Sequence, residues 1–486
     1  MKPINVQRTK ITLYPDRKRV LARPFHFMSG ERASEICARV MALSEDKVQT
    51  LLGQLWAEFD GRHKNIREFF RRRFDEVRPY LLSDLTLSEE RALLMGGYFT
   101  HEYSFEAAAL FNPSIVPHPD QSNLAVGSQR LVLSLRATGE GHISSLTFRS
   151  GVVDSDGKLV IDAPTPYSLE PARVSNARLE KLLLERKLRE LNLLGAFSRE
   201  VLKPLGELFT LEELRDSVSL ATKELRVRDL ETEKVAKKTL ELAQSCFDVQ
   251  FDADSSLSER VLFPFTAAQS HGIEDARFVR FQDDDGTRTY CATYTAYNGK
   301  EIQPQFLETA DFLHFKFITL SGPAVENKGM ALFPRKIKGL YAMLGRQDYE
   351  NLYVMFSDHL HFWHTAQAIL RPEFPWEFIQ LGNCGSPIET EAGWLVISHG
   401  VGPMRKYCIG AFLLDRDDPT QVIGRLREPL LKPDKDEREG YVPNVVYSCG
   451  SLVHGGQLII PYGTSDYATT FATVPLDEVL AAMESF

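Results

Sequence analysis

The stretch "RFVRFQDDDGTRTYCATYTAY" (residues 277–297) decides the fold. Two short runs rich in aromatic and β-branched residues flank Asp283, Asp284, Asp285 and Gly286, which reads as two strands joined by a hairpin turn. The same grammar returns in "LFPRKIKGLYAMLGRQDYENLYVMFSDHLHFW" (332–363), "SPIETEAGWLVISHGVGPMRKYCIGAFLLD" (386–415) and "GSLVHGGQLIIPYGTSDYATTFATVPL" (450–476). Each holds several short strands, and the units begin roughly 50–60 residues apart, the spacing of repeated four-stranded sheets around an axis. Counting "FNPSIV…RLVLSLRATGEGHISSLTFRSG" (111–151) gives five units. Strands do not alternate with helices after residue 250, so a parallel α/β architecture is disfavoured. The expected fold is therefore an all-β core, a five-bladed β-propeller.

Two segments depart from this pattern. Residues 31–97 and 176–246 carry apolar side chains at three- and four-residue spacing amid charge, which predicts amphipathic helices. We therefore expect a mostly helical N-terminal extension (1–100), a first blade (101–175), a helical insertion (176–250) and the remaining blades (251–486). The helices are read as packing on a neighbouring domain or subunit, so a homo-oligomer through them is a candidate assembly.

Composition bounds the function. The 486 residues carry a net charge of −9, which disfavours nucleic acid or an anionic membrane as the partner. Positive charges at the start are not followed by an apolar stretch, and no apolar run reaches spanning length, so neither a secretory signal nor a membrane anchor is expected. The six cysteines are scattered without close pairing, which fits reduced thiols and a cytoplasmic protein. No cofactor and no metal are expected. In "HLHFWH" (359–364), His359 and His361 share one strand face while His364 falls on the other. "DDDG" (283–286) lacks the later glutamate of a calcium loop.

Four motifs in order, "GIEDAR" (272–277), "NKGMALFPRKIKGLYAML" (327–344), "PIETEAGWLVISHGV" (387–401) and "YVPNVVYSCG…LIIPYG" (441–463), resemble glycoside hydrolase family 130, whose members act on β-mannosides. The resemblance covers about residues 105–170 and 260–486. It implies an oligosaccharide substrate, with Asp275 as general acid, because a glycosidic oxygen leaves only once protonated. Without the resemblance, Glu274 and Asp275 read equally well as solvated acids of a turn. A funnel would desolvate Asp275 and raise its pKa. The resemblance also implies that Asn112, Arg136 and Asp466 hold the mannosyl unit. His399 matches a family histidine, though a core histidine bonded to backbone fits as well.

The family contains hydrolases and phosphorylases. Where its phosphorylases resemble one another in carrying a lysine, this chain has Glu389, and "GRQDYEN" (345–351) adds Glu350. Two acids in place of a basic cluster would repel phosphate and suit activation of water, so the expected reaction is inverting hydrolysis; Glu389 and Glu391 alternate faces of a strand, so only one of them can face the site. Lys328 and Arg346 remain basic, which keeps inverting phosphorolysis, releasing mannose 1-phosphate, as the alternative. A β-1,2 linkage is the family-based expectation. A non-catalytic carbohydrate-binding or scaffold propeller is the remaining reading.

Overall fold

A computed structural model describes residues 4–27, 29–82, 86–224 and 230–485. Its body is built from antiparallel sheets, each starting with a strand buried on both faces. The first sheet runs Ala109–Pro117, Gln129–Thr138 and Ser144–Val153. The second runs Gly272–Gln282, Arg288–Tyr297, Ile302–Thr309, His314–Thr319 and Phe247–Gln250. The third contains Ala331–Leu332, Tyr341–Gly345, Leu352–Ser357 and Ala366–Leu370. In the fourth, Gly393–Gly402 pairs with Lys406–Leu414, which pairs with Val422–Arg425. The fifth pairs Gln457–Thr464 with Ala468–Pro475, and Gln7–Leu13 from the chain's N-terminal end completes it.

Successive sheets are joined by a few backbone contacts. A single bridge joins Ser144 to Gly272, and another joins Gln282 to Arg335. Leu381 donates its N–H to the Glu350 carbonyl at 3.0 Å, and Tyr407 bridges to Val445. Cys449 donates to the Pro113 carbonyl at 2.8 Å, which brings the fifth sheet back against the first. This crowding explains a departure from simple alternation. Ala109–Pro117 and Gly393–Gly402 are buried at every residue, because both faces of each strand meet neighbouring sheets.

The two helical segments each have a small core of their own. The N-terminal helices Gly30–Met41, Glu45–Phe59 and Glu89–Tyr98 start at Ser29, Ser44 and Ser88, whose hydroxyls accept backbone N–H bonds and satisfy otherwise orphaned donors. Cys37, Val40, Leu52, Phe74, Met95 and Phe99 pack between them. The segment is not wholly helical: Leu21–Pro24 pairs with Thr100–Tyr103, and Gln7–Leu13 belongs to the fifth sheet. In the insertion, the helices Lys181–Glu190, Ala196–Leu202, Leu211–Glu224 and Leu230–Gln244 bury Leu184, Leu188, Phe197, Val201 and Leu214. The chain then re-enters the second sheet directly at Phe247–Gln250. Among the described residues, no helix is long and apolar enough to cross a membrane.

One glycine fixes the N-terminal helices. A Cβ on Gly96 would stand 1.9 Å from the Phe70 carbonyl oxygen of helix Ile66–Val77. Gly96→Ala must push the two helices apart, and the expected cost is about 1–3 kcal/mol, read as a lower denaturation midpoint. An unchanged midpoint would contradict this close approach.

Candidate active site

Glu274 and Asp275 are neighbours in a strand and should face opposite sides. They do not. The register of Gly272–Gln282 against Arg288–Tyr297 shifts between Glu274 and Arg277, and Asp275 has φ of 53°. This bulge turns both carboxylates toward one guanidinium. Arg136 Nη2 lies 2.7 Å from Glu274 Oε1, and Arg136 Nη1 lies 3.2 Å from Asp275 Oδ1. A second bulge falls between Phe111 and Ser114, where Asn112 has φ of 47°, and Asn112 Nδ2 donates to Asp275 Oδ1 at 2.7 Å. Asn327 and Asp466 also have positive φ, 63° and 50°. Each such residue costs about 1–3 kcal/mol of backbone strain, and these four lie in or beside the segments that carry the candidate site.

Beside these acids lies a group of cations. Arg277 and Arg346 are 3% and 5% exposed, and Lys328 is half-buried. Among the described residues none of the three has a carboxylate within ion-pairing distance. Arg277 donates instead to the Asp275 backbone carbonyl at 3.1 Å and to the Tyr447 hydroxyl at 2.6 Å. Arg346 Nη1 sits 3.1 Å from His399 Nε2. Gly329, with φ of 90°, lies under both guanidiniums: a Cβ there would stand 3.9 Å from Arg346 Nε and 4.0 Å from Arg277 Nη2. Buried cations without counter-charge are costly, so the arrangement is a ready seat for an anion.

The same charges set the protonation states. Burial alone would push the Asp275 carboxyl up, yet Arg136, Lys328 and Arg277 together with the Asn112 bond outweigh it and hold it below its ordinary value. This corrects the expectation that desolvation would raise the Asp275 pKa: its surroundings are cationic as well as buried. Asp466 behaves in the opposite way. Burial, helped by Asp275 and Glu274 against Arg136 and Arg405, raises it to about 6. His399 is driven well below its ordinary value by burial and by Arg346 and Arg277, so it is neutral and its Nε2 accepts from Arg346.

Thus Asn112, Arg136, Asp275, Lys328, Arg346, His399 and Asp466 converge through direct bonds or mutual fields. The two glutamates do not join them. Glu389 is gripped by Arg335 at 2.7 Å and Arg416 at 3.0 Å. Arg335 bridges Gln282, the last residue of the strand whose other end carries Asp275. At 3.3 Å per residue these ends stand roughly 20 Å apart. Glu389 therefore lines a separate cleft of about 560 Å³ with Arg280, Asp283 and Arg335. Glu350 sits exposed on a turn organised by Asp348, which accepts from the N–H groups of Glu350 and Asn351 and from the Tyr353 hydroxyl. Of Glu350, it is the backbone carbonyl that is used, by Leu381. Reading Glu389 as a water-activating acid is thus corrected, because strand direction sends it to the far end; Glu350 is exposed on the turn that follows Arg346. Conversely, the sequence gives no separate signal for Arg277 or Tyr447, although they lie within the motifs "GIEDAR" and "YVPNVVYSCG".

Comparisons with known proteins identify the family. The family model of glycoside hydrolase family 130, described as beta-1,4-mannooligosaccharide phosphorylase, matches residues 225–485. The 1,2-beta-oligomannan phosphorylase of Thermoanaerobacter sp. is 36% identical over 231 residues, 46% of this chain and 75% of that protein. The beta-1,2-mannobiose phosphorylase of Listeria innocua is 31% identical over 237 residues, 46% of this chain and 63% of that protein. The solved structure of the beta-1,2-mannobiose phosphorylase from Listeria innocua, in complex with beta-1,2-mannobiose, aligns with a TM-score of 0.46 at 22% identity, covering 77% of this chain and 92% of that one. The matched span runs from before Asp275 to beyond Asp466, and it covers more than half of the residues; this chain belongs to glycoside hydrolase family 130.

Proposed function

We propose that this protein is an inverting phosphorylase of β-mannosides, with β-1,2-linked manno-oligosaccharides as the substrate class, and that its five sheets are the blades of a five-bladed propeller with the site at the axis. The observation that carries the reading is the group Lys328, Arg277 and Arg346, cationic and without carboxylate partners among the described residues, set directly against Asp275. A hydrolase needs a carboxylate to ready water on the face opposite its acid. Of the acids proposed for that task from sequence, Glu389 is paired by Arg335 and Arg416 at the far end of the strand and Glu350 is exposed on a turn, whereas three cations suit a phosphate dianion. The two relatives described above, both named as β-1,2-mannoside phosphorylases, support the same choice.

In this reading Asn112, Arg136 and Asp466 hold the hydroxyls of the terminal mannosyl unit, and Lys328, Arg277 and Arg346 hold phosphate. His399 and Tyr447 position the guanidiniums. A phosphate oxygen attacks C1 and forms the new C1–O bond. The C1–O bond to the next sugar breaks, its electron pair stays on the departing oxygen, and that oxygen takes up a proton supplied by Asp275. Inversion of a β-mannoside gives α-mannose 1-phosphate. The low pKa of Asp275 belongs to the protein without phosphate. A dianion between Lys328 and Arg277 cancels two of the three charges that depress it, so phosphate binding itself raises Asp275 toward a proton donor.

The test is incubation with a β-1,2-linked mannobiose, with and without phosphate. Mannose 1-phosphate formed only with phosphate supports the proposal; free mannose independent of phosphate establishes hydrolysis, and no turnover favours a binding protein. Asp275→Asn should lower turnover about 10²–10⁴-fold in protein whose circular dichroism is unchanged. Arg346→Ala or Lys328→Ala should raise the KM for phosphate about 10–100-fold with a smaller change in the KM for mannoside, each lost charged hydrogen bond being worth about 1.5–3 kcal/mol. Glu389→Lys should leave turnover within about threefold of the parent, since its site is remote; a large loss would restore Glu389 to the machinery.

The raised Asp466 carboxyl also predicts a pH signature. Its folded value of about 6 lies above its ordinary one, so between these values the folded protein binds more protons than the unfolded chain. This contribution to stability is present at lower pH and is lost as pH rises through about 6. Asp466→Asn should remove an ionisation near this pH from the kcat/KM profile; an unaltered profile would assign it to another group.

A further inference from the structure

The "HLHFWH" histidines lie outside the proposed active site, yet they do not stand alone. His359 and His361 project from the connection between strands Leu352–Ser357 and Ala366–Leu370, and the helical insertion brings Glu180 down onto them. One ligand atom from each of Glu180, His359 and His361 lies within 4.8 Å of the others. Glu180 Oε2 is 3.2 Å from His359 Nε2, and His361 Nε2 is 2.7 Å from Glu308 Oε1. The side chain of His361 is only 6% exposed, and its Nδ1 is buried without a hydrogen-bond partner.

We propose that Glu180, His359 and His361 form a binding site for one divalent transition-metal ion of the zinc class, which clasps the helical insertion to the third sheet. Two imidazoles and a carboxylate are donors that suit zinc or cobalt rather than calcium or magnesium. Glu308 contributes in either orientation of the His361 ring. If Nδ1 coordinates, Glu308 accepts from Nε2–H and fixes the tautomer; if Nε2 coordinates, Glu308 is the adjacent fourth oxygen donor. Coordination by His359 Nε2 places its proton on Nδ1 and gives up the long 3.2 Å contact from the His361 N–H. Lys316 lies 4.0 Å from Glu180, and Lys187 and Arg178 line the same pocket, facing the two carboxylates of Glu180 and Glu308. The Glu180 side chain is 33% exposed, which leaves an entry path from solvent. Other bonds already register the insertion over this place: Arg186 pairs with Asp358 at 3.1 Å, and Glu190 accepts from the Gly322 N–H at 3.0 Å.

The experiment uses the full chain stripped with a chelator and titrated with Zn²⁺, followed by calorimetry, and with Co²⁺, followed by its visible absorption. Expected are one ion per chain, cobalt bands of a low-symmetry nitrogen and oxygen site, and a melting temperature that rises with Zn²⁺. His359→Ala and Glu180→Gln should each weaken binding about tenfold or more while mannoside turnover stays at the parent level. Absence of one-to-one binding, or equal affinity in the parent and both variants, overturns the site and assigns any uptake to scattered surface histidines. Because the readout is metal binding, it stands or falls separately from the proposed phosphorylase activity.

Discussion

The fork of Arg136 onto Glu274 and Asp275 is the constraint on which the site depends. Two adjacent residues of an ordinary strand cannot reach one guanidinium; the bulge and the left-handed backbone at Asp275 make it possible. A matching bulge at Asn112 in the neighbouring first strand completes the grip. These strained residues persist because the strands around them are buried on both faces and bonded to neighbouring sheets. A rigid scaffold over-determines the backbone, and the strain is kept where the charges converge.

Charge balance then separates the two ends of the first strands. At one end, Arg136 is neutralised by Glu274 and Asp275, while Arg277, Arg346 and Lys328 are left in excess. At the other, Glu389 is satisfied by Arg335 and Arg416, both reaching it from the protein itself. A paired acid has little left to offer a substrate, and unpaired buried cations have a great deal. This asymmetry, more than any single motif, favours an anionic nucleophile over water in the proposed reaction.

The helical segments add a different kind of order. Each closes its own apolar core, yet each is tied to the sheets by polar contacts. Arg19 and Arg149 share the fully buried Glu106 between the N-terminal region and the first sheet, and the contacts of Glu180, Arg186 and Glu190 tie the insertion to the third sheet and its loops. Polar seams of this type select one docking geometry, because an unpaired buried charge penalises any other.

Much of this was legible in the residues. Alternating strands between turn signals placed the sheets, the three- and four-residue periodicity placed the helices, and the ordered motifs named the family. Asn112, Arg136, Asp275, Lys328, Arg346, His399 and Asp466, all within the stretches that resemble the family, are candidates that the sequence offers by residue type and motif alone. What failed was direction. The sequence lists Glu389 beside an apparent motif, but whether a strand end faces the mouth or the far side depends on which way the strand runs through the sheets. The protonation of Asp275 was missed for a related reason: burial is readable from apolar neighbours, but two of the three cations that override it, Arg136 and Lys328, arrive from the first sheet and from the loop before the third. The meeting of Glu180 with His359 and His361 is likewise invisible along the chain. Local pattern determines elements; only tertiary structure decides which charges stand within a few ångströms of one another, and electrostatic consequences follow distance in space.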